Sequence, residues 1–154
     1  MALLGNITSF AHAVPAARTL LAIDASQRAF GLAGSDAGKK LATPLHTIRR
    51  STRLDADLAK LRQVIEAREV GGLVLGYPIS MDGTEGPRCQ EIRTLAGRLE
   101  AAFDLPVLLF DERLSTFAAE DALEALGRRP KPGEALDHYA AATFLGDLLA
   151  CWPG

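Results

Sequence analysis

The sequence predicts one α/β domain built on a mixed five-stranded sheet flanked by helices. Two apolar runs, at residues 20–23 and 30–34, are separated by a short polar turn, which is typical of a β-hairpin. Two later runs, at residues 73–76 and 107–110, are apolar without alternation, as in parallel strands that are buried on both faces. Stretches with helical periodicity lie between and after them, which indicates a sheet with an antiparallel half and a parallel half.

Length and composition are those of an ordinary globular protein. The chain has 154 residues, of which 48% are hydrophobic and 23% are charged, and its formal net charge is −2. This length suits a single domain, and the charge indicates no large footprint for a polyanion. We expect a flexible leader at residues 1–18, the domain at 19–150 and a short tail at 151–154. No apolar run approaches ~18 residues, so no membrane span is expected.

The first half of the domain is predicted to contain three strands and a helix. The hairpin strands at 20–23 and 30–34 are followed by a third strand at 41–48, which Pro44 favours as an edge strand. A capping-box pattern that begins at Thr52 opens a helix, and Gly71 and Gly72 end it. The apolar face of this helix comprises Leu54, Leu58, Leu61 and Ile65.

The second half alternates strands and helices. A loop at 77–86 follows the strand at 73–76, and Pro87 begins a helix that leads to the strand at 107–110. A helix capped by Ser115 or Thr116 and ended by Gly127 comes next, and a closing helix runs from Glu134 to about residue 149. The predicted buried residues of the two long helices are Ile92, Leu95, Ala96, Leu99 and Phe103, and Leu136, Tyr139, Ala140, Thr143, Phe144 and Leu148.

Acidic residues follow two of the predicted strands and begin the closing helix. Asp24 ends the first strand, Asp111 and Glu112 end the last one, and Asp137 lies in the first turn of the closing helix. Ligands of open α/β sheets bind beyond the carboxyl ends of the strands, so these carboxylates can meet at one edge. Each also has a simpler interpretation, as a turn residue, an ion-pair partner or a helix N-terminal acid.

Converging carboxylates need a cation to offset their repulsion. Oxygen-only ligands suit Mg²⁺ or Mn²⁺, and two such ions can clamp a phosphodiester during in-line displacement. Since successive side chains on a strand point to opposite faces, only one of Asp111 and Glu112 is expected to point into the site. The sequence leaves open which one.

Several other residues have both functional and structural interpretations. Arg113 can hold a phosphate or orient Glu112, and the loop that contains Thr84 can shape a substrate channel or position the helix after it. Two arginine-rich segments, at 49–53 and 128–131, suit either backbone phosphates or solvent. The two cysteines lack metal-ligand spacing, which indicates reduced thiols, and His12, His46 and His138 show no metal-site spacing.

Four segments resemble one known family. LLAIDASQRAFGLAGSD resembles its first motif, a strand that ends in D-x-G-x-K-R-I-G-V-A, and GLVLGYPISMDGTEGP is very similar to its V-G-L-P-x-x-M-D-G-T-E-G-P loop. LLFDERLST contains its D-E-R-L-S-T signature, and LDHYAAATFL is similar to its closing-helix motif V-D-x-x-A-A. The matches run in order over about residues 19–150. The chain thus resembles the YqgF/RuvX family, whose members are described as Holliday-junction-resolvase-like proteins and as pre-16S rRNA nucleases.

The resemblance implies an RNase H-like fold and a nuclease that uses Mg²⁺ or Mn²⁺, with two ions expected. Its implied catalytic and metal-binding residues are Asp24, Asp111, Glu112 and Asp137, and the substrate-binding candidates are Arg28, Arg113 and Thr84. The implied role is 5′ processing of pre-16S rRNA in the bacterial cytoplasm, with structured RNA as partner and no membrane.

The chain differs from the family pattern near the first carboxylate. Ser26 stands where the motif has glycine, and Arg28-Ala29 replaces its lysine-arginine pair. Two alternatives therefore stay beside the RNA nuclease: cleavage of DNA four-way junctions, and a catalytically weakened RNA-binding assembly factor. The oligomeric state is left open.

Overall fold

In the computed structural model, a five-stranded sheet has helices on both faces. The structure describes residues 6–79, 82–111 and 137–153, and for Asp137 the backbone alone. Its elements, in chain order, are α1 (Ile7–Ala13), β1 (Thr19–Ala25), β2 (Ala29–Ser35), β3 (Ala42–Arg49), α2 (Leu54–Ala67), β4 (Val70–Tyr77), α3 (Pro87–Phe103), β5 (Val107–Asp111) and α4 (Asp137–Ala150). The helix predicted between residues 115 and 127 lies outside the described residues.

The sheet has the predicted antiparallel and parallel halves. Its strand order is β3-β2-β1-β4-β5, in which β1, β2 and β3 pair antiparallel and β1, β4 and β5 pair parallel. The hairpin prediction and the edge position of β3 are therefore confirmed. The strand β1 lies at the centre, where it has a hydrogen-bonded neighbour on each side.

Each face of the sheet has its own core. We call the face that packs against α2 and α3 the α3 face, and the opposite one the α4 face. The core on the α3 face includes Leu21, Ile23, Leu75 and Leu109. The α4 face is packed against α1 and α4, and its buried residues include Leu20, Ala22, Val74, Leu108 and Phe144. In β1, in β5 and in β4 from Gly72 onward, even-numbered positions thus lie on the α4 face and odd-numbered ones on the α3 face, as strand pleating requires. Val70 lies on the α3 face, before the register shift between β1 and β4.

The N-terminal segment differs from the expected leader. Asn6 accepts a hydrogen bond from Ser9 N and so caps α1, whose Phe10 is fully buried. Phe10 also makes an edge contact with Trp152, at a ring-centroid distance of 5.9 Å. The expectation of an unstructured leader is therefore wrong for residues 6–14, because apolar side chains in this short segment cover the α4 face.

Gly71 and Gly72 have a different role from the predicted one. The helix α2 ends at Ala67, and both glycines lie inside β4. A Cβ atom at Gly72 would lie 2.6 Å from Val14 Cγ2 and 2.8 Å from Phe10 Cζ, and one at Gly71 would lie 2.4 Å from Arg18 Cβ. The glycines therefore allow the N-terminal segment to pack closely against the sheet.

Two helix predictions also need correction. Thr52 does not cap α2, because the N-cap is Arg53 without a side-chain hydrogen bond. Instead the buried Asp57 accepts hydrogen bonds from Ser51 N at 3.0 Å and Ser51 Oγ at 2.9 Å. The fully buried positions of α4 are Ala141, Phe144, Leu145 and Leu148, so its packed face is rotated from the prediction and Tyr139, Ala140 and Thr143 are half-buried.

Other sequence predictions are confirmed. In α3, Ile92, Leu95, Ala96 and Leu99 are buried. Both cysteines are free thiols, with Cys89 buried and Cys151 exposed. Within the described ranges, the helices are all too short or too polar to cross a bilayer.

The packing of α1 predicts a large effect of truncating Phe10. Phe10→Ala should lower the free energy of unfolding by about 3–5 kcal/mol, as expected for a large aromatic removed from a core. Urea unfolding measures the loss. His12→Ala, on the exposed side of the same helix, should change stability by less than about 0.5 kcal/mol. Equal effects of the two substitutions would contradict the packing of this helix on the sheet.

Candidate active site

Asp24 lies near the carboxyl end of the central strand β1. It is half-buried, between the buried residues Ile23 and Ala25. Because Leu20 and Ala22 belong to the α4 face, strand alternation places Asp24 on that face too. The predicted position at a strand end is confirmed, and the structure adds the face.

A row of aligned residues crosses the sheet at the level of Asp24. Asp24 pairs with Gly31 of β2, which pairs with Thr47 of β3. On the other side, Ile23 aligns with Leu75, so the next step aligns Asp24 with Gly76, which pairs with Phe110 of β5. Both neighbours of Asp24 in this row are therefore glycines. Neither of them adds a side chain to the row.

The first turn of α4 is attached to the same row. Thr47 Oγ1 and His138 Nδ1 are hydrogen-bonded at 2.9 Å. At the other end of the row, the ring of Phe110 stacks on Phe144 with centroids 6.1 Å apart. Asp137, the first residue of α4, precedes His138, so the helix start lies on the face that carries Asp24. The structure thus brings the backbone of Asp137 to the level of Asp24.

Asp111 differs from Asp24 in its face. It pairs with Tyr77, which belongs to the α3 face, and it follows Phe110, which packs on the α4 face. Alternation therefore directs Asp111 away from the face of Asp24. Glu112 and Arg113 lie outside the described residues.

The turn between β1 and β2 is held without a glycine. Ser26 Oγ accepts hydrogen bonds from Ala29 N at 3.0 Å and Arg28 N at 3.3 Å, and Ser26 N donates to Ala29 O at 2.9 Å. Positive φ angles of described non-glycine residues occur at Lys39, Glu69 and Asp104, so Ser26 is unstrained. The serine hydroxyl stabilises the turn that a glycine would only permit.

The candidate cation Arg28 is exposed at this turn, next to Ala29. Ala29 pairs with Arg49 of β3, and both lie on the α4 face by alternation from Phe30 and Ile48. Arg49 therefore places a guanidinium beside Ala29, the position at which the family motif has arginine.

Thr84 makes contacts within its own loop. Its backbone N and Oγ1 donate to Asp82 Oδ1 at 2.9 Å and 2.6 Å, and these bonds lower the pKa of Asp82. Glu85 and Tyr77 both bind Arg93 of α3, at 2.8 Å and 2.5 Å, and the bond from Arg93 lowers the pKa of Glu85. Burial raises the pKa of Tyr77. The loop is thus tied to α3, which supports the positioning interpretation of Thr84.

The donor set of the site can be tested against a divalent cation. Asp24 offers carboxylate oxygens in a half-buried position, and hard oxygen donors suit Mg²⁺ or Mn²⁺. Among the residues that the structure describes, which leave out Glu112 and the side chain of Asp137, no three His, Cys, Asp or Glu groups form a metal cluster.

The sheet order, the central aspartate and the helix that begins beside it define an RNase H-like protein. Two solved structures of Thermus thermophilus RuvC share this fold. One, in complex with a Holliday junction substrate, superposes with a TM-score of 0.57 at 16% identity over 87% of this chain and 95% of that chain. The other superposes with a TM-score of 0.55 at 14% identity over 86% and 95% of the two chains.

The chain belongs to the RuvX family, described as "Holliday junction resolvase", whose sequence pattern matches residues 18–150. A protein of Roseobacter denitrificans named "Putative pre-16S rRNA nuclease" is 44% identical over 150 residues, which cover 96% of this chain and 91% of the relative. A relative of the same name from Rhodobacter capsulatus is 45% identical over 145 residues, which cover 94% and 91%.

Sequence reasoning missed Thr47 and Arg88, and it gave Arg50 only as a member of the arginine-rich segment 49–53. Thr47 has no motif, because its bond to His138 spans 91 residues of sequence. Arg50 and Arg88 donate to carbonyls of the β1–β2 turn, at 2.8 Å to Ser26 O and 2.5 Å to Ala25 O. The arginine-rich composition of residues 49–53 was the available signal for Arg50.

The bond between Thr47 and His138 predicts a measurable contribution to stability. Thr47→Val keeps the shape of the side chain and removes the hydroxyl, so unfolding should become easier by about 1 kcal/mol. Chemical denaturation measures it. Thr43→Val, at an exposed position of the same strand, is the matched control and should change stability by less than about 0.5 kcal/mol. Indistinguishable variants would show that this bond does not hold α4 to the sheet.

Proposed function

We propose that this protein is a nuclease that hydrolyses phosphodiester bonds of structured RNA with Mg²⁺ or Mn²⁺, in 5′ processing of pre-16S rRNA in the cytoplasm. The observation that carries the proposal is the shared level of Asp24 and the start of α4 on one face of the sheet. Membership of the RuvX family and the names of its close relatives support the reaction class and the RNA substrate.

The proposed ligand set is Asp24, Glu112 and Asp137. Asp24 and the first turn of α4 share the α4 face, whereas Asp111 is directed to the α3 face. Continued alternation past Asp111 favours Glu112 over Asp111 as the acidic residue of the last strand. In this assignment Asp111 does not bind the metal and affects the site only by positioning the end of β5.

Carboxylates gathered on one face repel each other, and a divalent cation offsets that repulsion. Bound cations of this kind lower the pKa of a coordinated water and stabilise charge on the phosphate. The role of this chain is to hold the carboxylates at fixed separations. Hydrogen bonding between Thr47 and His138 holds the start of α4 at the level of Asp24.

Substrate contacts are proposed for cations around the carboxylates. Arg28 at the turn and Arg49 beside Ala29 lie at the edge where β1 ends. Arg113, next to Glu112 in sequence, is proposed to bind the scissile phosphate. Thr84 is proposed to shape the loop that precedes α3 through its bonds to Asp82.

The ligand assignment predicts different effects for neighbouring acids. Asp24→Asn and Glu112→Gln should lower Mn²⁺-dependent cleavage by about 100-fold or more, the scale of losing a charge-stabilising group, while Asp111→Asn should lose about tenfold or less. Cleavage of a labelled pre-16S rRNA fragment measures these rates. A binding readout accompanies them: Mn²⁺ should raise the melting temperature of wild type and Asp111→Asn but not of Asp24→Asn.

The outcomes separate the proposals. If Asp24→Asn still cleaves the RNA and Mn²⁺ still raises its melting temperature, the proposed metal site is contradicted. If Asp111→Asn loses cleavage activity and Glu112→Gln keeps it, Asp111 rather than Glu112 is the metal ligand. No Mn²⁺ shift and no cleavage by the wild type would favour the RNA-binding assembly factor.

DNA junction cleavage is the second candidate, favoured by the description of the family and by the RuvC fold. We expect an unlabelled pre-16S rRNA fragment to inhibit cleavage of labelled RNA at least tenfold more strongly than a four-way DNA junction does, at one fixed salt concentration. The salt must be fixed because phosphate contacts make affinity strongly salt-dependent. Stronger inhibition by the junction would reverse the order of the two substrates.

A further inference from the structure

The turn between β1 and β2, at residues 26–28, is flanked by two cavities that the catalytic assignment does not use. We call these residues the hairpin tip. Each cavity is lined by residues of the tip and by Arg88 of α3. One, of about 310 Å³, is lined by Ser26, Gln27, Arg28 and Arg88. The other, of about 230 Å³, is lined by Gln27, Arg50, Arg88, Glu91, Ile92 and Leu95.

Two arginines at these cavities are fixed by the backbone of the turn. Arg88 Nη2 donates to Ala25 O at 2.5 Å, and its Nη1 donates to Glu91 Oε2 at 2.6 Å. Arg50 donates from Nη1 to Ser26 O at 2.8 Å and from its backbone N to Arg28 O at 2.7 Å. The guanidinium of Arg50 also lies over the ring of Phe30, with its Cζ 4.6 Å from the centroid.

Fixed guanidiniums are well suited to bind a further anion. A guanidinium has five N–H donors, and the side-chain hydrogen bonds given above use one of Arg50 and two of Arg88. Because the turn already orders both side chains, binding an oxyanion costs little additional side-chain entropy. Arg28, at the exposed tip, adds a third cation.

The charge at the tip is opposite to that of the whole chain. The cavity linings contain Arg28, Arg50 and Arg88 but a single carboxylate, Glu91. The formal net charge of the protein is −2, so this positive surface is local. An anion is therefore the ligand class that the tip selects. Cations on both sides of a narrow turn suit an anion with repeated charges better than an isolated one.

We propose that the hairpin tip binds the phosphodiester backbone of a nucleic-acid strand, with Arg28 and Arg88 each contacting a phosphate. The tip begins two residues after Asp24, at the same end of β1, and the guanidiniums of Arg50 and Arg88 lie on the α3 side of that end. This contact is independent of base sequence, because it is made to phosphates. The inference rests on the proposed function in taking the strand to be the substrate.

The test is the salt dependence of RNA binding by the full chain without divalent metal. Fluorescence anisotropy of a labelled RNA hairpin with a single-stranded extension is measured in EDTA from 50 to 200 mM KCl. Arg28→Met and Arg88→Met should each reduce the slope of log K against log[salt] by about 0.7–0.9. The same loss of one phosphate contact weakens binding about five- to eightfold at 100 mM KCl.

Controls separate binding from folding. Arg98→Met removes a guanidinium that is exposed on α3 and 3.6 Å from Asp55, and it should leave the slope unchanged. Arg28→Met removes an exposed side chain, whereas Arg88→Met also removes the bond to Ala25 O, so agreement between the two excludes a folding artefact. Unchanged slopes in both variants would overturn the proposal.

Three further outcomes identify the ligand and the dependence on the proposed function. Inorganic phosphate binding that is lost in Arg28→Met and Arg88→Met, together with unchanged RNA slopes in both variants, would show a site for free phosphate and would overturn the strand assignment. If the two variants change the salt slope but the wild type shows no Mn²⁺-dependent cleavage, strand binding at the hairpin tip is supported and the proposed hydrolysis is contradicted. If the wild type cleaves normally and the salt slopes of both variants are unaltered, only strand binding at the hairpin tip is contradicted.

Discussion

The alternation of side chains along β1 is the constraint on which the arrangement of the site depends. Both faces of the sheet are covered by helices, so each residue of β1 belongs to one of two separate cores. Asp24 shares its face with Leu20 and Ala22, and thereby with α4. A shift of β1 by one residue would move the carboxylate to the α3 face. The apolar residues that fix the register of β1 therefore also fix the face of the sheet on which Asp24 lies.

Backbone alignment relates Asp24 to residues at both edges of the sheet. The row at the level of Asp24 has glycines at both adjacent positions and a phenyl ring at the edge, on Phe110. Thr47, at the opposite edge, is bonded to the first turn of α4. The same row thus contains Asp24 and the residue that anchors the first turn of α4, which connects sheet packing to the geometry of the candidate site.

The N-terminal helix shows how local sequence and long-range packing are related. Its seven residues are too few to form a stable helix alone, and Phe10 supplies the apolar contact that holds it. Gly71 and Gly72 are the complementary feature, since a Cβ atom at either would clash with this segment. In the sequence the same glycines resemble a helix stop, because their permissive backbone is equally suited to a chain end and to a close approach.

The sequence by itself determined the elements whose signals are local: the hairpin around Asp24, the buried parallel strands and the apolar face of α3. It also placed acidic residues after the right strands. Only the tertiary structure decided the rest. Three features depend on the register between distant segments: the face on which Asp111 lies, the anchoring of α4 by Thr47, and the positions of the arginines at the hairpin tip. Local propensity carries no information about that register, because the free energy that selects it comes from packing two cores at once.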